Sequence, residues 1–305
     1  MSLLTHATTD SWVVLELGNW MLEGLHTIER SPQVSVFTNL MPDHLDSYDS
    51  MEDYGEAKTA IYRYQRPGDL ALFNAENDFT ARYAAEAPSE QVWLYAPDQG
   101  ARWPREAPAE TVPFRYGDDV RLRGAHNLGN VQAATAVAEL LGIAEASIHK
   151  TVAAFGGVPH RLEVVRELDG VTWVNDSAST APIAGVAALR SFHEPVVLIA
   201  GGNTKKLDFT EFADEAASRA KKVIILAGTA SDAFAAAVRE AATTAGKPDL
   251  VVGPLPALDL ALREARAAAV PGDIVLLSPG FTSFGLFLHE FDRGDKFRAA
   301  VLAMS

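Results

Sequence analysis

The sequence predicts an α/β chain of two domains built on mainly parallel sheets. Two observations carry this: short apolar runs of strand length recur along the chain, and helical patterns stand between them. A third is that most of the later runs end in glycine, as doubly wound, Rossmann-like sheets often do at their ligand-binding edge.

In the first half the runs are WVVLEL (12–17), VSVFTNL (34–40), DLALFN (69–74) and QVWLYA (91–96). A helical pattern follows in NVQAATAVAELLG (130–142). The first run is unusual, because a βαβ domain seldom opens on a buried strand with only eleven residues before it. Two glycines and a proline in AAFGGVPHRLEVV (153–165) then break the helical pattern and place a domain boundary near residue 157, giving domains 1–157 and 158–305. The second half repeats the alternation, with strands at PVVLIAGG (195–202), KVIILAG (222–228), LVVG (250–253) and DIVLLSPG (273–280). Amphipathic helices are expected at DFTEFADEAASRA, SDAFAAAVREAATTAG and PALDLALREARAAAV. In the last, Asp259 and Arg263 share an exposed face while Leu258 and Leu262 share the buried one.

With 305 residues, 48% of them hydrophobic, the chain is long enough for a substantial core. A net charge of -14 disfavours nucleic acid or an anionic membrane as the main partner. The lack of cysteine excludes disulfides, thiolate metal sites and cysteine nucleophiles, and fits a reducing compartment. No basic segment followed by a long apolar run opens the chain, and no uninterrupted apolar stretch approaches eighteen residues, so a cytoplasmic location is expected.

Several segments carry polar chemistry. NLMPDHLDSYDSMEDYGEAK (39–58) places Asp43, His44 and Asp46 in a loop after a strand, as an imidazole and hard oxygen donors suited to magnesium or manganese. Helix capping by Asp43 or Asp46 is the competing reading. Lys58 joins a metal site only if its amine takes up carbon dioxide as a carbamate; otherwise it is an exposed helical lysine. Glu16 lies in an apolar run, where a buried acid needs a metal or cation and a solvent-facing one needs nothing. GAHNLGNVQAA (124–134) sets Asn127 and Asn130 at a helix start, where amides can read a base or ribose and Asn127 can simply cap. Arg161 in PHRLEVV suits a phosphate, and VNDSASTAP presents Asp176, Ser177 and Thr180 after a strand. GGNTKKLDF (201–209) offers close backbone approach and Lys205 or Lys206 for an anion. SPGFTSFGLFLHEFDRGDKF (278–297) puts Ser283 near a helix start, where a carboxylate can bind.

Taken in order, ELxxxxLE, TNxxPDHLD, YxEAK, GxHNxxN, PHR, NDSxxT, GGxxKxxDF and SPGxxSFxxFxxEFxRGxxF span essentially the whole chain, and the series resembles the Mur ligase family. The resemblance implies a central ATPase domain followed by a C-terminal domain that docks an amino acid. It implies ATP and Mg2+ as cofactors and activation of a carboxylate as an acyl phosphate, which the amine of the amino acid attacks. Among family members the match is nearest to those that add D-glutamate to UDP-N-acetylmuramoyl-L-alanine, in peptidoglycan precursor synthesis. Carried over residue by residue, it assigns Glu16, His44 and carbamylated Lys58 to the metal, and Asn127, Asn130, Arg161 and Asp176 to the nucleotide. Thr180, Lys205 and Ser283 fall to the acceptor.

Some positions depart from the family pattern. Gly18 and Asn19 replace serines, Ala178 stands where many members have lysine, and Glu290 stands where an aromatic often lines the acceptor site. No GxxxxGK[ST] occurs; Gly246–Lys247 is followed by Pro248. The expectation is a chain that begins inside the central domain, without the phosphate cradle and the UDP-binding domain that precede it in the family. Such a chain would bind nucleotide weakly and have a sheet short of a strand, with an open edge. A ligase with another acceptor and a non-catalytic binding subunit stay open as alternatives.

Overall fold

The computed structural model describes residues 7–9, 11–43, 47–96, 100–102 and 120–305. These form two compact units, the first taking in 7–9, 11–40 and 48–94 and the second 41–43, 47, 95–96, 100–102 and 120–305.

The first unit contains α1 (Asn19–Thr27), β1 (Val34–Phe37), α2 (Met51–Lys58), β2 (Leu70–Asn74), α3 (Asp78–Ala84) and most of β3 (Gln91–Ala96). With β4 (Gly100–Arg102), the strands follow the order β1-β2-β3-β4. β1 runs parallel to β2, with Val34 opposite Leu70 and Phe37 opposite Phe73. Burial explains the register, since Leu70, Ala71, Leu72 and Phe73 are all buried, as a covered parallel strand requires. Phe37 stacks on Tyr83 at 5.8 Å, and Tyr62 meets Phe73 edge-on at 5.2 Å. Short polar residues start the helices: Asp53 N–H donates to Ser50 Oγ, and Thr80 N–H to Asn77 Oδ1, at 3.0 and 3.2 Å.

The run at 12–17 is not a strand. It is irregular backbone, and Trp12 and Val14 are 65% and 96% exposed. Apolar composition there mimics a core strand, but among the described residues no neighbour pairs with it.

The second unit begins with α4 (Ala125–Leu140) and α5 (Glu145–Ala154), then builds a six-stranded sheet from β5 (Glu163–Leu168), β6 (Val171–Asn175), β7 (Val196–Ala200), β8 (Ala220–Leu226), β9 (Val251–Leu255) and β10 (Ile274–Leu277). β5 and β6 form an antiparallel hairpin turned by Asp169 and Gly170, both left-handed at φ 53° and 74°. An Asp-Gly pair suits such a turn, because its twist matches that of the strands. The sheet order is β5-β6-β10-β7-β8-β9, and every pairing beyond the hairpin is parallel.

Helices cover both faces. Buried residues of α6 (Pro182–Arg190), α7 (Thr210–Arg219) and α8 (Ser231–Thr244) pack with Val174, Leu198, Val223 and Leu276. Those of α9 (Leu258–Ala268) and α10 (Glu290–Ala303) pack with Trp173, Val197, Ile224 and Val275 on the other face. Consecutive strand residues point to opposite faces, so the two cores share each strand residue by residue. On α9, Leu262 is buried and Leu258 packs against the second core, while Arg263 and Asp259 pair at 3.4 Å on the outside. Gly185 lets α6 approach α7, since a Cβ there would lie 2.5 Å from the ring of Phe212.

Candidate active site

The loops leaving β6, β10 and β7 meet because β10 lies between the other two strands. Asp176 N–H donates to Leu277 O at 2.8 Å, Gly201 N–H to Pro279 O at 3.0 Å, and Gly280 N–H to Ser179 O at 3.0 Å. Asn203 and Thr282 exchange backbone bonds at 2.9 and 3.1 Å, and Asn203 Nδ2 donates to Phe284 O. A side chain on Gly202, at φ 146°, would strike the carbonyl of Thr282, so this approach needs glycine.

Beneath the loops lies Arg293, 1% exposed on α10. It donates to Ser177 Oγ and Ser177 O at 2.9 and 2.8 Å and to Phe281 O at 3.2 Å, tying the loop that carries Thr180 to the one that carries Ser283. Burial pushes its pKa down to about 10, against the charges of Glu290 and Asp176. Asp176 is buried too; its Oδ1 accepts from Leu162 N–H at 3.1 Å and its Oδ2 from Ser278 Oγ at 2.8 Å. Burial raises the Asp176 carboxyl to about 7, although Ser278, Leu162 N–H, Arg161 and Arg293 all favour its ionised form.

The helix holding Asn127 and Asn130 starts at Ala125, earlier than the sequence pattern indicates. Asn127 does not cap it: Gly124 is the capping residue, and Asn127 Nδ2 donates to Arg123 O at 2.8 Å. Asn130 is exposed, as is Arg161. His126, the residue before Asn127, keeps an exposed surface, yet desolvation of its ring and then the charge of Arg161 lower its pKa. Arg161 therefore acts electrostatically on both His126 and Asp176. His126 stands in the GxHNxxN motif but was passed over in favour of the asparagines.

Of the acceptor set, Thr180 and Lys205 come together, lining with Pro182, Thr204, Gly280 and Phe281 a narrow crevice too tight for a water molecule. Lys205 Nζ lies 3.3 Å from Asp43 Oδ1, so Asp43 neither caps a helix by this contact nor stands clear of a cation. Ser283 does not sit near a helix start, because α10 begins at Glu290 and the segment between is a loop. Its hydroxyl is buried and, among the described residues, meets no hydrogen-bond partner.

Of the metal set, Glu16 lies in the exposed segment before α1, so no cost of a buried acid arises. Lys58 is the last residue of α2, half-buried, with Nζ 4.9 Å from the centroid of Tyr54. His44 and Asp46 lie outside the described residues. Among the described residues no three His, Asp or Glu side chains gather as a cation site. The chemistry of Glu16 and of a carbamate on Lys58 suits a hard cation, both offering anionic oxygen.

A doubly wound unit whose polar loops converge at the carboxyl ends of parallel strands defines a ligand-binding α/β protein. Residues 2–138 match the Mur ligase middle domain and residues 160–281 the Mur ligase, glutamate ligase domain. The chain belongs to the Mur ligase family. The UDP-N-acetylmuramoylalanine–D-glutamate ligase of Roseiflexus sp. (strain RS-1) is 44% identical, over 96% of this chain and 66% of that protein. The enzyme of the same name from Symbiobacterium thermophilum is 40% identical, over 97% of this chain and 66% of its own length. The chain thus spans about two thirds of these relatives. The fold is shared with MurF ligase from Thermotoga maritima in complex with ADP, at TM-score 0.64 and 19% identity over 91% of this chain and 64% of that one. It is shared too with UDP-N-acetylmuramate-alanine ligase MurC from Thermotoga maritima, at TM-score 0.63 and 19% identity over 92% of this chain and 62% of that one.

Proposed function

We propose that the chain supplies the central and C-terminal parts of an ATP-dependent ligase that joins D-glutamate to UDP-N-acetylmuramoyl-L-alanine, a cytoplasmic step of peptidoglycan synthesis. The observation that carries this reading is the 44% identity to a protein named for that reaction, over 96% of the chain. We place the boundary between the two domains near residue 157.

In this reading the substrate carboxylate attacks the γ-phosphate of ATP and ADP departs; the amine of D-glutamate then attacks the acyl carbon and phosphate leaves. Arg161, an exposed cation beside Asp176 and His126, grips the nucleotide phosphates, with Asn127 and Asn130 at the base or ribose. Lys205 and Thr180, which share one recess, and the buried hydroxyl of Ser283 orient the acceptor. The Lys205 ammonium exchanges its contact with Asp43 for an acceptor carboxylate. Glu16, His44 and carbamylated Lys58 would hold magnesium, which neutralises phosphate charge as the phosphoryl group moves.

The test is phosphate release by the protein expressed from its complete gene, supplied with UDP-N-acetylmuramoyl-L-alanine, ATP and a panel of amino acids. Stimulation by D-glutamate is expected; stimulation by another amino acid instead would reassign the acceptor, and none at all would leave a binding protein. A Lys58→Ala variant should lose turnover and recover part of it with a short-chain carboxylic acid; unchanged turnover removes Lys58 from the mechanism.

A further inference from the structure

Arg161 is flanked by two non-glycine residues in the left-handed region, His160 at φ 65° and Leu162 at φ 45°. Side chains avoid this conformation, and it persists where surrounding bonds over-determine it. Here they do. His160 N–H donates to Glu163 Oε2 at 2.9 Å, His160 O accepts from Ala178 N–H at 3.0 Å, and Leu162 N–H donates to Asp176 Oδ1 at 3.1 Å.

Glu163 is the centre of this brace. Besides His160 N–H it accepts from Asn175 Nδ2 at 3.1 Å and from Arg298 Nε and Nη2, each at 2.8 Å. Burial favours the neutral acid, but the bonds from Arg298 and His160 outweigh it and hold the carboxyl below its usual pKa. The ring of His160 is fixed as well: Asn175 Nδ2 stands 3.0 Å from Nδ1, which makes Nδ1 the acceptor, and Nε2 faces Asp295 Oδ1 at 3.5 Å. Gly294 makes room, since a Cβ there would collide with the imidazole. The turn buries Leu162 in the first core, yet its middle side chain, Arg161, is left exposed amid all this polar structure. Over-determined strain around an exposed cation is the pattern of a preset ligand contact.

We propose that Glu163 is a positioning residue: with Asn175 and Arg298 it locks the turn from His160 to Leu162 and so fixes the guanidinium of Arg161 in the geometry that grips a nucleotide polyphosphate. This rests on the reading of Arg161 given above, and a double-mutant cycle tests the two separately. In the protein expressed from its complete gene, Glu163→Gln should raise the KM for ATP about tenfold and leave the KM for D-glutamate unchanged. Arg161→Met should be at least as impaired, and the double variant should match Arg161→Met alone, because Glu163 acts only through Arg161. An additive double variant, or a folded Glu163→Gln protein with unaltered KM for ATP, overturns the positioning role. If Arg161→Met itself changes neither KM nor kcat, the nucleotide reading of Arg161 falls instead. Should Glu163→Gln fail to fold, His160→Gly carries the same cycle, because glycine accepts φ 65° without strain yet frees the turn. His160→Asn, which tolerates the left-handed region, should restore the KM for ATP to within about twofold of the parent.

Discussion

Replacing Arg293 with methionine sets two large effects against each other. Taking the guanidinium away leaves Ser177 O and Phe281 O, both of which it serves, buried without that donor. Each such loss costs about 1–3 kcal/mol. Ser177 Oγ is not orphaned, because it still donates to Glu290 O at 2.7 Å. On the other side, a cation only 1% exposed carries a desolvation cost of several kcal/mol, which methionine relieves. The balance turns on Asp176, which is 8% exposed and whose ionised form Arg293 favours; without that cation it becomes a buried acid with less compensation. The expected net is a loss of about 3 kcal/mol. Native-state hydrogen exchange at the amides of β6, β7 and β10 would read this as roughly 100-fold faster exchange through global opening of the unit. Arg293→Lys keeps the charge but not the planar fork, and should fall between. If Arg293→Met is neutral or more stable, desolvation dominates and the account of Arg293 as a tie between loops is wrong.

Asp176→Asn should change stability with a definite sign in pH. The folded carboxyl titrates near 7 and an unfolded one near 3.9, so the folded state holds the proton longer and wild-type stability declines as pH climbs through that window. Asparagine removes the decline, so its melting temperature relative to the parent should rise between pH 5 and pH 8; a constant difference contradicts the assignment. Gly185→Ala, which in an open helix gains up to about 1 kcal/mol, should here cost about 1–3 kcal/mol, because its Cβ meets the ring of Phe212 at 2.5 Å. A raised melting temperature would show that α6 and α7 can separate without loss.

The central strands β7 and β10 of the second unit were legible because they are buried on both faces and so appear as unbroken apolar runs: Val196 to Ala200 are all buried, as expected of PVVLIAGG. The same rule misled at 12–17, where composition is equally apolar but the side chains are exposed. α1, α3 and α5 were missed because they are short, and burial within them is confined to a few residues, only Ile148 in α5. At the site, motif residues were visible as types, but their partners were not. Nothing local to Arg293 announces that its guanidinium reaches Ser177, more than a hundred positions away, nor could spacing reveal the left-handed backbone of His160 and Leu162. Ser283 was misplaced for a related reason: the loop after β10 runs to Glu290 before a helix starts, and its course is set by Asn203 and Arg293 rather than by its own propensities.

The position of β10 has a consequence for how the chain comes to be able to work. Of the strands in its sheet it is the last in sequence, yet it lies between β6 and β7, roughly 100 and 75 residues earlier. Until it arrives, β6 and β7 have no hydrogen-bonding partner in that gap, and the loop bearing Thr180 has neither Gly280 nor Arg293 to hold it. A nascent or prematurely ended chain can therefore form β7, β8 and β9 with their helices, but not the meeting of loops. Insertion of β10 and assembly of the site are thus one event, so a chain that stops short of this strand cannot bring the loops together.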